Sequence, residues 1–332
     1  MIIKKAILHI MDFNSDICVF SQKELDIADA GANTFMDKHF KKIIDDSGKV
    51  KGDFLENSIT KKMIEEYLNQ EMDFTQLSTS IGNLVYNQIS KADDLESMDF
   101  LFAQFSDETE EYLAMLLLPN KIAYTHQVSS GEGVISNEII RYYTLLPSLS
   151  QKITSYGLVN INSMAVFFSD KKRSIEGETV LVMPEKVLQC TKGISQKDTI
   201  KIISKITTEV AEEYGANPAI AVTRAKSTIL EKADETLDFS PLELGEQIFH
   251  DNKIMKNQFE QKIKEAQLPV EVKVENKSIV RSTRNHKIKT DTGIEITIPT
   301  DYFENTEFVE FNNNPNGTIS IQLKNIGKII NR

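Results

Sequence analysis

Arg281, Arg284, Lys287 and Lys289 fall within the nine-residue run RSTRNHKIK, with His286 among them and no acid. Fixed positive charge at this density suits one chemistry above others, the binding of phosphates or another polyanion. About four phosphate contacts would give a salt-dependent and sequence-independent attraction. The run has no aromatic residue for bases to stack on, and no helix-turn-helix is recognisable to carry base readout. Two further groups share its sign. Lys197, Lys201 and Lys205 recur every four residues and form one stripe at the start of a helix, whose far end carries Glu209, Glu212 and Glu213. That order opposes the helix macrodipole, and a phosphate held by the lysines and the helix N-terminus would answer it, although a solvated face is the plainer reading. Lys171, Lys172 and Arg173 would crown a loop between two strands, where the plainer reading is a polar hairpin tip.

Patterns that suggest enzymes are weaker. Asp291-Thr292-Gly293 is the aspartic-protease tripeptide, but it occurs once, and that chemistry needs two carboxylates sharing a proton. A hairpin turn explains it better. Glu271-Val272-Lys273 has the Glu-x-Lys spacing of metal-dependent nucleases, yet Val270, Val272 and Val274 alternate with charged residues as in any half-buried strand. The order Ser129-Ser130-Gly131-Glu132-Gly133 is no nucleophile elbow, and phosphate-loop, dinucleotide and HExxH motifs are absent. The five histidines show no ligand spacing. No catalytic residue, metal site or cofactor is expected.

The positive groups stand out because the 332-residue chain has a formal charge of −11. From Leu268 to Arg332 nine Lys and Arg face eight Asp and Glu, which leaves −12 on the rest. Any polyanion must therefore meet particular patches. Composition is that of a soluble globular protein, with 40% hydrophobic and 26% charged residues. Two cysteines, Cys18 and Cys190, with no CxxC, predict reduced thiols in a cytosolic protein. MIIKKAILHIMD lacks the length and cleavage site of a signal peptide, and the run near Leu113–Leu118 is too short for a membrane span.

Periodicity predicts the elements that must carry these groups. Ile3–Ile10 and Ile17–Ser21 flank a turn at Asp12-Phe13-Asn14-Ser15 and form an opening hairpin. A helix beginning near Leu25 shares Phe35, Phe40, Ile43 and Ile44 on one face; a second follows Ser58, and a third holds Leu77–Ile89. Asp99–Phe105, Tyr112–Leu118, Lys121–Val128 and Glu138–Leu146 then predict an antiparallel meander, continued by Met164–Phe168 and Thr179–Met183. After Cys190 the pattern becomes helical: one helix from Ser195 to Tyr214 stopped by Gly215, one over Pro218–Asp234, and a broken one from Ser240-Pro241 to Ala266. A β-module closes the chain. The fold class is α+β, with an N-terminal domain over 1–190 built on an antiparallel sheet, and a helical segment plus β-hairpin module over 191–332.

GIEITIPTDYF followed by FVEFNNNPNGTISIQLKNIGKI resembles the ending of the bacterial nucleoid-associated protein family of the YejK or NdpA type. The opening IKKAILHIMD, NPAIAVTRAKSTILEKADE and FSPLELGEQIF fall in that family's order, so the resemblance spans nearly the whole chain. It implies a cytoplasmic, nucleoid-associated protein that binds DNA with little sequence preference and contacts DNA-topology enzymes such as a topoisomerase. It assigns no individual DNA-contacting residue; the ten cationic positions named above come from charge alone. The function expected is non-enzymatic DNA association by a homodimer, in which one modest patch becomes two. The alternatives are a protein-interaction module acting on a DNA-topology enzyme, or a metal-dependent nuclease built on Glu271 and Lys273.

Overall fold

Alternation along IIKKAILHIMD makes β1 (Ile2–Asp12) a strand with two buried faces, since Ala6 enters one core and Ile7 another. The computed structural model describes residues 1–131, 134–235, 238–273, 285–299, 302, 305, 307–314 and 318–328. It divides into two units, Met1–Gly193 and Ile194–Arg332.

In the first unit β1 turns into β2 (Ile17–Val19), pairing Met11 with Cys18. Helix α1 (Ala30–Ile44) starts later than periodicity predicts, capped by Asp29, because Leu25 is still tied to β1 through its N–H donating to Ala6 O at 2.7 Å. Next come β3 (Val50–Gly52), α2 (Ile59–Leu68) and α3 (Phe74–Ile89), with Ser58 capping α2 and an Asp73–Gln76 capping box opening α3. The central strands are β4 (Met98–Asp107) and β5 (Glu110–Pro119), paired from Met98–Pro119 to Asp107–Glu110. Their apolar runs are nearly continuous because both sheet faces are covered. Phe100, Phe102, Leu113 and Met115 pack with Leu77, Ile81 and Val85 of α3, while Leu101, Phe105, Ala114 and Leu116 pack with Met36, Phe40 and Ile43 of α1.

The expected meander stops at β5. Among the described residues the next two strands, β6 (Lys121–Gly131) and β7 (Val134–Leu145), pair only with each other, and β8 (Ser155–Asn160) takes the place beside β5. Strand β9 (Val166–Ser169) follows β8, and β3 closes the row. Among the described residues this gives a seven-stranded antiparallel sheet in the order β2-β1-β4-β5-β8-β9-β3. At its β3 edge Gly52 is required, since a Cβ there would lie 2.3 Å from Thr191 O. Nor does Thr179–Met183 extend the sheet. Strands β10 (Lys172–Ile175) and β11 (Glu178–Leu181) form a separate ribbon, and a π-helical turn, Met183–Leu188, follows. Ser58 Oγ donates to Leu188 O at 2.9 Å and locks that turn onto α2.

In the second unit α4 (Gln196–Glu213), α5 (Pro218–Glu235), α6 (Leu244–Ile248) and α7 (Lys253–Glu265) enclose Ile203, Val210, Ala225, Ile248 and Phe259. A short ribbon of β12 (Asp238–Phe239) and β13 (Val272–Lys273) buries Phe239 and Val272 in the same core. Two hairpins close the described chain: β14 (Asn285–Lys289) with β15 (Glu295–Pro299), and β16 (Val309–Asn313) with β17 (Ile319–Leu323). The fold is α+β, with a helical segment and small β-module after the sheet.

Two buried titratable groups set opposing pH dependences in the first unit. Burial, with the Asp12 carboxylate nearby, pushes Asp99 up to about 6, whereas burial holds His9 down at about 4. Ionising Asp99 therefore costs stability as pH rises from about 4 through 6, and His9 costs stability as pH falls from about 6.5 to 4. Replacing Asp99 by Asn should raise unfolding stability at pH 7.5 by about 2 kcal/mol and expose the acid-side loss due to His9. Urea denaturation of both proteins between pH 4 and 7.5 checks this; a gain that persists undiminished at pH 4 would contradict it.

Candidate nucleic-acid interface

The β14–β15 hairpin separates charge from core by the period of two of a strand. Ile288, Ile296 and Ile298 turn inward and pack with Ala219 and Ile220 at the start of α5. Lys287 and Lys289 alternate with them and are exposed, opposite Thr297 and Glu295. Lys289 Nζ lies 3.3 Å from Glu295 Oε1, with both side chains largely in solvent. An exposed pair of this kind contributes about 0–1 kcal/mol, so a phosphate can displace the carboxylate. Arg281 and Arg284, the other two cations of the run, lie outside the described residues.

The turn between these strands is built by the sequence read above as DTG. Thr290 N–H donates to Ile294 O at 2.9 Å and Gly293 N–H to Thr290 O at 3.0 Å, with Gly293 at φ +88°. Asp291 is exposed and accepts from Thr292 N–H at 2.9 Å. Its role here is to shape a turn.

On α4, Lys197, Lys201 and Lys205 form an exposed stripe, while Ile203, Ile206 and Val210 face the core. The helix N-terminus is already occupied. Ser195 Oγ accepts from Asp198 N–H at 3.1 Å and donates to the Asp198 carboxylate at 2.7 Å. The Ser195 hydroxyl, with Lys201 also contributing, holds the Asp198 carboxyl below the usual carboxylate range. Lys201 pairs with Asp198 at 3.2 Å and Lys205 with Glu209 at 3.7 Å. The acids at the far end, which looked misplaced against the macrodipole, have a partner: Lys262 of α7 reaches Glu209 at 3.5 Å and Glu213 at 3.6 Å. A phosphate approaching α4 therefore meets a lysine face and an N-terminus closed by its own side chains.

The third group lies in the first unit and differs most from its expected form. Lys171 precedes β10, while Lys172 and Arg173 begin that strand, so no hairpin tip is present. Arg173 is turned inward, its side chain 9% exposed, and pairs at 2.8 Å with Asp170, whose side chain is fully buried. It also donates to Ser155 Oγ at 3.2 Å, and Asp170 accepts from Met183 N–H at 2.6 Å. Together Arg173 and Asp170 join the sheet, β10 and the π-helical turn. Lys171 pairs with Glu96, and all three residues border a cavity of about 990 Å³ that Asp12, Asp94 and Glu96 also line. Lys172 alone of the three is exposed without an ion pair among the described residues.

The Glu-x-Lys segment resolves as a strand with a wet face: Val272 is buried, Glu271 and Lys273 are exposed, and Lys273 pairs across to Asp238. Among the described residues no group of three or more His, Cys, Asp or Glu is placed to hold a metal ion. Among them, too, no helix is long and apolar enough to cross a membrane. Sequence reasoning missed the inward pairing of Arg173; an acid three residues before an arginine beside a β-run was the available signal.

A family model described as nucleoid-associated protein YejK matches residues 7–330. The chain belongs to that family. A search of the curated proteins finds no match. The match to the YejK family runs through both units.

The two kinds of cation described here separate by experiment. Arg173→Ala leaves the Asp170 carboxylate buried without its partner and should cost about 3 kcal/mol of unfolding stability. Lys172→Ala should stay within about 0.5 kcal/mol of the parent. Thermal and urea unfolding of both variants tests the assignment, and equal losses would contradict it.

Proposed function

We propose that this protein is a non-enzymatic, nucleoid-localised component that binds DNA through phosphates, without strong sequence preference. The observation that carries the proposal is membership of the nucleoid-associated YejK family over nearly the whole chain. The closing β-module supports it with a strand whose solvent face bears Lys287 and Lys289 directly after Arg281 and Arg284 in sequence. The α4 lysines offer a second, weaker cationic face, because two of the three are shared with nearby acids. Lys171 and Arg173 are engaged within the protein and drop to last place among the candidates.

An acidic chain with a small cationic module binds a polyanion weakly per copy, so the active form is a homodimer presenting the module twice. The same acidity outside the module suits contact with a basic surface on a DNA-topology enzyme, and we propose such an enzyme as the protein partner.

Titrating a labelled duplex at several salt concentrations, with and without magnesium, tests the reading. Binding should weaken steeply with salt and leave the duplex uncut. Replacing Arg281, Arg284, Lys287 and Lys289 together by Ala should lower the slope of log K against log salt by about 3–4 per copy. An unchanged slope would remove this patch from the interface, and magnesium-dependent nicking that is lost in Glu271→Gln would replace the proposal by a nuclease.

A further inference from the structure

The β6–β7 ribbon lies outside the cores of the first unit and meets its cationic group only at the base, where Ile122, Tyr143 and Thr144 line the cavity beside Lys171, Lys172 and Arg173. Its pairing runs from Lys121–Leu145, through a register shift before Ala123–Tyr142, to Gly131–Val134, and neither edge is hydrogen-bonded to a third strand among the described residues. A two-stranded ribbon of this kind is marginally stable in water on its own. Its two faces differ. Thr125, Gln127, Ser129, Ser136 and Glu138 share one face with Ile140 and Tyr142. The other carries Tyr124, Val128, Ile135, Ile139 and Tyr143, with relative exposures of 68%, 61%, 74%, 83% and 63%, and between them the exposed polar residues His126, Ser130 and Asn137. Arg141 lies on this second face, its guanidinium 6.0 Å from the Tyr124 ring centroid and 4.7 Å from that of Tyr143.

Those five residues leave on the order of 700–800 Å² open, close to the ~800 Å² that each partner buries in a standard interface. Charge decides what covers them. Between Lys121 and Leu145, Lys121 and Arg141 balance Glu132 and Glu138 in a chain of net −11. DNA calls for several cations and a basic protein for acids, and the apolar face has neither; Arg141 is its one fixed charge. Two copies repel each other over most of their surface, and this neutral strip is where they can meet without that cost. A two-fold axis through the His126–Ile139 row sets Ile139 on its own counterpart, Ile135 opposite Tyr143, and Arg141 opposite Asn137 instead of another Arg141.

We propose that the Tyr124–Ile139–Tyr143 face of the β6–β7 ribbon packs on the same face of a second copy and forms the dimer. The proposal deepens the dimeric reading above, and its test reads association without DNA, so the two can fail separately. Sedimentation equilibrium of the full chain should show a dimer, and Ile139→Glu, which sets two carboxylates on the axis, should weaken it at least ~10-fold with unchanged circular dichroism. Ile139→Cys should form a reducible species of twice the mass on mild oxidation, while the parent, with half-buried Cys18 and buried Cys190, does not. A parent that stays monomeric, an Ile139→Glu variant that stays dimeric, or a ribbon protected from hydrogen exchange only when DNA or a DNA-topology enzyme is added would each overturn it. A monomer that still binds DNA would do so without touching the DNA reading.

Discussion

The antiparallel pair of β4 and β5 is the constraint on which the first unit depends. Each strand is apolar on both sides, so the pair has no face to give to water and must be covered twice. Helix α1 covers one side and α2, α3 and the π-helical turn cover the other, each held by caps and bonds that fix where it starts. Removing either layer would expose a row of Phe, Leu and Met side chains. The same requirement expels the ribbon that follows. Strand β6 carries Thr125, His126, Gln127, Ser129 and Ser130, which cannot be buried on both faces, and β8, with Tyr156, Leu158 and Val159, takes the place beside β5 instead.

Some of the charge in this protein is spent on holding its own elements together. Arg173, which the sequence places on a polar loop, is held inward by Asp170, and Lys262 ties α7 to α4 through Glu209 and Glu213. Exposed cations are scattered over both units, and on β14 strand alternation sends Lys287 and Lys289 outward while Ile288 anchors the hairpin. An acidic molecule can bind a polyanion in this way only over a limited face, which favours repeated weak contacts over one strong site.

Much of the fold was legible because it follows local rules. The opening hairpin, the Ser58 and Ser195 caps, the Gly215 stop at φ +70° and the closing hairpins are each set by a few neighbouring residues. What escaped was non-local. Leu25 looks helical until its bond to Ala6 is known, and nothing local names β8 as the strand that takes the place beside β5. The candidate site divides in the same way. Net charge and the cationic run are plain from composition, and the DTG turn from its flanking strands. The inward turn of Arg173 required knowing that Asp170 is fully buried. Arg281 and Arg284 lie outside the described residues, so their place in the site rests on sequence.

The central claim is that DNA contacts the closing β-module and not the ribbon of the first unit. Hydrogen–deuterium exchange of the full chain, measured with and without a mixed-sequence duplex at low salt, tests it most directly. Slowed exchange over residues 281–299, lost on raising the salt and indifferent to duplex sequence, is the predicted result. Protection confined to residues 121–145, or none anywhere at duplex concentrations that saturate binding, would contradict it.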